Sequence, residues 1–247
     1  MILLLDVGNT RVKWAWLEYL EIARAAAVAH DATRRSWQRQ IEADGHRPSR
    51  IVIASVAGPA FAAAVTLWAR DHYRVEPEFI SASAAFGGIT NAYARPAALG
   101  VDRWLAMIAA WRAAPGATVI VSGGTALTVD SIDRNGRHRG GLIVPGLTMM
   151  REARAPFEDD GARLPGSAFA PVAGREALPD CALLALAALA DRSAAEGARC
   201  LGAEPRLVLT GGDAPLIAPH LTHAADLVPD LVLRGLAIVA THDAGHG

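Results

Sequence analysis

The stretch Ile2-Leu-Leu-Leu-Asp-Val-Gly-Asn-Thr10 decides how the chain begins to fold. Its apolar run, residues 2–5, is typical of a buried central strand, and the Asp-Val-Gly-Asn-Thr segment stops that strand in a tight turn. Beyond the turn, residues 11–17 alternate polar and apolar side chains, and a second alternating run leads to Val28. This order predicts a central strand followed by an antiparallel hairpin.

The same order occurs again in the second half of the chain. Residues 117–121 form an apolar run that enters Ser122-Gly-Gly-Thr125, and residues 127–132 then alternate. Because strand, Gly-Thr turn and alternating strand occur twice, we predict a duplicated chain of two α/β halves, residues 1–115 and 116–247. No low-complexity linker separates the halves, so we expect them to pack around a shared cleft.

Other segments show helix or strand patterns. Helical spacing or composition predicts helices at residues 60–71, 101–111, 180–200 and about 231–240. Short apolar runs predict further strands at residues 51–56, 78–81 and 206–210.

The charge balance argues against one class of partner. The 247 residues include 24 Lys and Arg against 25 Asp and Glu, which gives a net charge of −1. Proteins that hold DNA or RNA mainly through phosphate contacts carry a net basic surface, because each such contact needs a Lys or Arg. We therefore expect no nucleic-acid partner.

Composition also bears on location. With 52% hydrophobic residues, the chain has enough apolar material for a buried core. Its longest apolar run, residues 181–190, falls short of the roughly 20 residues that a membrane helix needs, and its start has no basic leader. We expect a cytoplasmic protein with no membrane partner. Cys181 and Cys200 show no Cys-x-x-Cys pairing, so we expect buried free thiols.

Two Gly-Thr turns are candidates for phosphate binding. A carboxylate such as Asp6 at a strand end, followed by Gly and a hydroxyl-bearing turn, offers a metal-water ligand beside backbone N–H groups that can hold phosphate oxygens. Taken alone, this motif also fits an ordinary hairpin start. Its recurrence at Ser122-Gly-Gly-Thr125 favours a polyphosphate gripped by two turns. In a third turn, Thr210-Gly-Gly-Asp213, the glycines would let the backbone closely approach the flat base of a nucleotide.

The segment Gly100-Val-Asp-Arg103 opens a predicted helix at the junction of the halves. In a functional interpretation, Asp102 is a general base for a substrate hydroxyl and Arg103 anchors a polar or anionic substrate. In isolation the pair is more typical of a response to the helix dipole with a surface arginine beside it.

Taken together and in order, these motifs resemble those of the type III pantothenate kinases, over essentially the whole chain. The segments that carry the resemblance are Asp6-Val-Gly-Asn-Thr10, Asn91-Ala-Tyr93, Gly100-Val-Asp-Arg103, Gly124-Thr125-Ala-Leu-Thr128-Val-Asp130, Gly140-Gly-Leu-Ile-Val-Pro-Gly146 and Thr210-Gly-Gly-Asp213. The resemblance implies an actin-like, ribonuclease-H-like duplicated α/β fold with mixed sheets, in the acetate and sugar kinase superfamily. It also implies a homodimer that uses ATP to phosphorylate pantothenate to 4′-phosphopantothenate, the first step of coenzyme A biosynthesis.

The resemblance implies the following site residues. In the first phosphate motif, Asp6 is placed to hold Mg²⁺ through water and Lys13 lies near the phosphates of ATP. The remaining residues of that motif are Val7, Gly8, Asn9, Thr10, Arg11 and Val12. Thr125 resembles the nucleotide contact of the second phosphate motif, and Gly211 with Gly212 matches the adenosine region.

The pantothenate site is implied in the same way. Its residues are Tyr93, Gly100, Val101, Asp102 and Arg103, with Asp102 as the proton acceptor from the primary hydroxyl.

Two positions depart from the family pattern. Where the family usually has an Asp that holds an activating monovalent cation, K⁺ or NH₄⁺, this chain has Ser122. A neutral hydroxyl lacks that charge, so we expect weak or absent cation dependence. Ala177 aligns with a residue that is usually Thr and touches pantothenate from the partner subunit, so we expect a weaker contact there.

Two other functions remain open at this point. One is a non-catalytic accessory or regulatory protein that keeps the kinase fold, since some members of the resembled family were first described as accessory factors in transcriptional regulation. Retention of Asp6, Asp102, Arg103 and Thr125 argues against it. The other is a kinase of the same superfamily that acts on a different small hydroxyl compound.

Overall fold

The computed structural model of the protein describes residues 1–29, 36–154 and 178–242. The chain divides into two compact units. Unit 1 is formed by residues 1–114 together with 230–247, and unit 2 by residues 115–229.

A five-stranded mixed sheet forms the centre of unit 1. Its strands are β1 (Ile2–Val7), β2 (Arg11–Glu18), β3 (Glu21–Ala29), β4 (Arg50–Ser55) and β5 (Glu78–Phe79). They lie in the order β3-β2-β1-β4-β5, with β1 antiparallel to β2 and parallel to β4. The predicted central strand and the hairpin that follows it are therefore confirmed. A small separate hairpin follows, formed by β6 (Ala85–Phe86) and β7 (Ile89–Thr90).

Unit 2 repeats this sheet. Its strands are β8 (Thr118–Gly123), β9 (Ala126–Ile132), β10 (His138–Pro145), β11 (Arg206–Thr210) and β12 (Ala225–Leu227). They lie in the order β10-β9-β8-β11-β12, again with an antiparallel hairpin on one side of the first strand and a parallel strand on the other. Each strand of the five-stranded sheet in unit 1 thus has a counterpart in unit 2, and the predicted duplication is confirmed.

The α-helices cover the sheets. In the described residues they are α1 (Ser36–Ala43), α2 (Pro59–Trp68), α3 (Val101–Ala113), α4 (Leu147–Arg154), α5 (Leu178–Cys200), α6 (Ala214–Ile217) and α7 (Leu231–His242). In unit 1, Leu3 and Leu5 of β1 join an aromatic core with Trp14, Trp37 and Trp68. In unit 2, one face of the sheet packs against α5 in a separate aliphatic core. Alternate residues of a strand face opposite sides, so each sheet turns one set of side chains into these cores. The other set includes Leu4 and Val52 in unit 1 and Ile120 in unit 2, which are buried as well.

The last helix belongs to unit 1, although the sequence-based division placed it in the second half. α7 packs along α3, with Gly235 so close that a Cβ at this position would lie 2.0 Å from the carbonyl oxygen of Leu105. Only a glycine permits this approach of two helix backbones. The chain therefore returns to its first unit after residue 229, which chain order alone does not reveal.

Other elements differ from the predictions in detail. The helix predicted over residues 60–71 ends at Trp68 and continues as a π-helical turn, Ala69–Tyr73. Arg74, in the left-handed region at φ 60°, closes that turn. The strand predicted over residues 78–81 is shorter in the structure, Glu78–Phe79, and one further hydrogen bond, from the N–H of Ile80 to the carbonyl oxygen of Ile53 at 2.8 Å, follows it.

Two further findings concern surfaces. Cys181 and Cys200 form no disulfide, but both are exposed, so the predicted burial is wrong. Both lie on α5, whose core-facing side is occupied by other residues. Within the described ranges, no helix combines the length and the apolarity needed to cross a membrane.

Candidate active site

Asp6 lies at the carboxyl end of the central strand of unit 1 and is almost buried, with 8% of its surface exposed. The β1–β2 register places it opposite Lys13, and its Oδ2 atom is 4.0 Å from the lysine Nζ atom. Burial raises the pKa of Asp6 to about 6; Lys13 opposes this shift and the negative charge of Asp102 adds to it. The carboxylate is therefore poorly compensated by the protein alone, and a bound cation would stabilise its ionised form.

The turn after Asp6 exposes a short stretch of backbone. The N–H of Gly8 donates to the carbonyl oxygen of Arg11 at 2.9 Å, which closes the turn, and Asn9 and Thr10 are exposed between them. Val7 and Val12, assigned to the phosphate motif by resemblance, have buried side chains. They pair across the hairpin, so a ligand could contact their backbone groups but not their side chains.

The start of α3 holds the second carboxylate. The Oδ1 atom of Asp102 accepts a hydrogen bond from the N–H of Arg103 at 2.9 Å and lies over Gly100. A Cβ at Gly100 would lie 2.7 Å from that oxygen. Gly100 is therefore required for the observed position of the Asp102 carboxylate.

Arg103 lies inside unit 1 rather than on its surface. It is 7% exposed, and its Nη1 atom donates to the hydroxyl of Tyr93 at 3.2 Å. The interpretation of Arg103 as a surface partner of Asp102 is therefore wrong. Val101 is also buried, so its side chain belongs to the core. The structure thus brings Asp6, Asp102, Arg103 and Tyr93 together from three separate parts of unit 1.

In unit 2, three glycine-rich segments meet backbone to backbone. The N–H of Gly146 donates to the carbonyl oxygen of Thr125 at 3.1 Å, and a Cβ at Gly146 would lie 2.0 Å from the carbonyl oxygen of Gly124. Gly211, at φ 92°, would place a Cβ 2.1 Å from the carbonyl oxygen of Gly123. The predicted nucleotide residues Thr125 and Gly211 are therefore brought to one edge of this unit.

Ser122 lies in a row of hydroxyl side chains. The register pairs it with Thr128 on β9 and with Thr210 on β11, so all three lie on one face of the sheet. Thr210 is buried, and its Oγ1 atom has no hydrogen-bond partner among the residues that the structure describes.

In unit 1 the equivalent row is Lys13, Asp6 and Ala54. The copy in unit 2 has thus lost the carboxylate of its counterpart. The acid on β9, Asp130, is buried and paired with His138 at 3.1 Å. The hydroxyl row therefore supplies no fixed charge to hold a monovalent cation. Ala177, the other departure from the family pattern, lies outside the described residues.

Comparison with known proteins identifies the family. A family model described as type III pantothenate kinase matches residues 2–172. The type III pantothenate kinase of Nitrosococcus oceani is 37% identical over 255 residues, which cover 97% of this chain and 94% of that relative. The chain belongs to the type III pantothenate kinase family. The resemblance predicted from the motifs is confirmed, and the accessory-protein alternative is not favoured.

Solved structures with low sequence identity to this chain share its fold. A Campylobacter jejuni protein assigned to the Baf family of transcriptional activators matches with a TM-score of 0.60 at 19% identity, over 98% of this chain and 99% of its own. A ROK-family glucokinase from Streptomyces griseus, solved with glucose and AMPPNP, matches with a TM-score of 0.55 at 13% identity, over 98% and 99%. At these identities the likeness bears on fold alone, and the predicted duplicated α/β fold is confirmed.

The sequence did not reveal the contacts of three residues at this site. Gly146 closes the Thr125 turn, Thr210 extends the hydroxyl row, and Asn91 organises the segment that carries Tyr93. All three were within motifs that the sequence singled out, but neither spacing nor residue type indicated what they contact. The place of Thr210 beside Ser122 follows only from the strand register.

Proposed function

We propose that the protein transfers the γ-phosphoryl group of ATP to the primary hydroxyl of pantothenate, giving 4′-phosphopantothenate and ADP. The observation that carries this is the hydrogen bond between Arg103 and Tyr93 beside Asp102, whose negative charge also raises the pKa of Asp6. Phosphoryl transfer needs an aligned hydroxyl, a base and cations at the β- and γ-phosphates, and these side chains supply those functions within unit 1.

Asp102 acts as the base. The hydroxyl oxygen of pantothenate attacks the γ-phosphorus, the bond from that phosphorus to the β–γ bridging oxygen breaks, and the hydroxyl proton passes to the Asp102 carboxylate. Gly100 leaves room for that carboxylate, while Tyr93 and Arg103 hold the acceptor. Because Arg103 is already oriented by Tyr93, little side-chain freedom is lost when the substrate binds.

Asp6 would hold Mg²⁺ through water, which fits a buried carboxylate of raised pKa that only Lys13 partly compensates. When bound, Mg²⁺ neutralises charge on the phosphates. Lys13 and the turn of residues 8–11 face the same phosphates in this proposal. Thr125, with Gly211 and Gly212, contacts the nucleotide in this proposal, since these residues lie at one edge of unit 2.

We also propose that turnover needs no monovalent cation. The row of Ser122, Thr128 and Thr210 is neutral where unit 1 has a carboxylate, so it lacks the charge that would hold K⁺ or NH₄⁺. Titration of either cation into the ADP-release assay tests this.

The third part of the proposal is a homodimer whose interface is formed by unit 2. β10 is an edge strand with Leu142 and Ile143 exposed, and Met149 of α4 and Leu184 of α5 are exposed as well. Apolar side chains on a sheet edge are typical of an interface between chains. Light scattering at two protein concentrations measures the mass directly, and a monomer at both contradicts the proposal. The requirement for ATP favours a cytoplasmic location.

The deciding experiment measures ADP release from Mg²⁺-ATP with and without pantothenate, and identifies the phosphorylated product by mass. Asp102→Asn is the test variant, because the amide keeps the shape of the side chain and cannot accept the proton. General-base assistance is worth about 10²–10⁴ in rate, so kcat should fall by at least about 100-fold while ATP binding persists. ADP release that does not depend on pantothenate, or a mutant with near-wild-type kcat, contradicts the proposal.

A further inference from the structure

The segment that carries Tyr93 has few apolar anchors of its own. It runs from the end of the first sheet, through the β6–β7 hairpin, to the start of α3, and most of its side chains are exposed or half-buried. Ile89 and Leu99 are its buried apolar residues of large size. Contacts other than core packing must therefore fix the position of Tyr93.

Asn91 provides those contacts with all the hydrogen-bonding groups of its amide. Its Oδ1 atom accepts from the N–H of Tyr93 at 3.0 Å. Its Nδ2 atom donates to the carbonyl oxygen of Ser83 at 3.2 Å and to that of Pro96 at 3.3 Å. The backbone N–H of Asn91 donates to the carbonyl oxygen of Ala84 at 2.9 Å. One side chain thus ties together the segment before the hairpin, the tyrosine and the turn that leads into α3.

We propose that Asn91 is a positioning residue for the acceptor substrate, acting through Tyr93 on Arg103. The inference rests on the proposed function, in which Tyr93 and Arg103 hold pantothenate. Tyr93 accepts from Arg103 at 3.2 Å, so a displaced Tyr93 backbone moves one partner of the buried arginine. Asn91 itself contacts no reacting atom in this scheme.

The chemistry of the three contacts makes an amide necessary. A carboxylate at position 91 could still accept from Tyr93, but its second oxygen would face the carbonyl oxygens of Ser83 and Pro96, which are acceptors as well. Asn91→Asp therefore removes two hydrogen bonds and adds repulsion while keeping the size of the side chain. Asn91→Ala removes all three bonds without adding charge.

Steady-state kinetics separates positioning from general damage. Asn91→Asp should raise the KM for pantothenate by about 3- to 10-fold, the factor that follows from losing hydrogen bonds that are half-buried or exposed. The KM for ATP should stay within about twofold, because its motifs are elsewhere. Asn135→Asp, an exposed turn asparagine of unit 2, is the matched control and should behave as wild type. In a Tyr93→Phe background the effect of Asn91→Asp should shrink, since both act on the same arginine.

Hydrogen exchange without substrate provides a second test that does not depend on turnover. Asn91→Ala should speed exchange at the Tyr93 amide by about tenfold and leave α3 and the unit 2 sheet unchanged. If wild-type protein phosphorylates no pantothenate, the proposed function fails, and the exchange result still decides whether Asn91 orders Tyr93. Unchanged exchange at Tyr93 overturns the inference, as does an equal rise of the KM values for ATP and pantothenate.

Discussion

Replacing Gly100 by alanine should damage catalysis without damaging the fold. The added Cβ would lie 2.7 Å from Oδ1 of Asp102, whereas ordinary contact begins at 3.4 Å. The carboxylate must therefore move by about 0.7 Å, and a displacement of about 1 Å at a reacting group can cost on the order of 100-fold in rate. We expect kcat to fall by about 10- to 100-fold.

The stability of the same variant should stay level or rise. Gly100 has φ −55° and ψ 131°, a conformation open to alanine. At such a position Gly→Ala stabilises by about 0.4–1 kcal/mol, because the unfolded chain loses freedom. Thermal unfolding followed by circular dichroism checks this beside the ADP-release assay. A lowered melting temperature would show that the rate loss reflects misfolding.

A double-mutant cycle with Asp102→Asn tests the cause. If Gly100→Ala acts by displacing the Asp102 carboxylate, it should cost little in a protein whose position 102 no longer accepts a proton. Equal losses from Gly100→Ala in both backgrounds would refute the reasoning, and so would an unchanged kcat in the single variant.

Three further outcomes follow from contacts elsewhere in the chain. Ser122→Asp adds a fixed charge to the hydroxyl row, so turnover should become dependent on K⁺ or NH₄⁺. Strong activation of the wild-type enzyme by either cation would contradict the explanation that this row is too neutral to hold one. Asp191 is partly buried, which raises its pKa, but hydrogen bonds from Thr222 and His223 outweigh burial and lower that pKa to about 2. Its stabilising effect should be complete above the unfolded value of 3.8 and should be lost as pH falls towards 2. At pH 7 Asp191→Ala should cost about 1 kcal/mol by urea unfolding, because solvent screens hydrogen bonds near the surface, and Asp226→Ala is an exposed control. Gly235→Ala should destabilise by about 3 kcal/mol, because its Cβ would lie 2.0 Å from a carbonyl oxygen of α3, and a variant as stable as wild type would show that α7 can shift.

Much of the fold could be predicted because it is encoded locally. A continuous apolar run is typical of a central strand, and an alternating run is typical of a half-buried one, so both hairpins were visible in the chain. The repetition of that pattern predicted the duplication. The final helix was also visible, but its partner was not, because the pattern of a helix reveals its apolar face and not which surface covers it.

The site was predicted residue by residue, but not contact by contact. The residue types at Asp6, Asp102 and Thr125 indicated carboxylates and hydroxyls suited to phosphoryl transfer. Whether Arg103 lies on the surface or inside depends on the segment that carries Tyr93, and this segment is ordered by Asn91 through backbone groups. Hydrogen bonds to carbonyl oxygens leave no signature in a sequence, since every residue has that group.

The amino-acid sequence by itself determined the central strands, their turns, the duplication and the family, because these depend on side-chain pattern and residue type along the chain. Tertiary structure alone decided which residues meet. It set the raised pKa of Asp6, which arises from burial and from Asp102 far along the chain. It also placed Ser122 in a neutral row with Thr128 and Thr210, because strand register aligns residues that are distant in sequence. Electrostatics and packing act through space, so their outcome requires the folded chain.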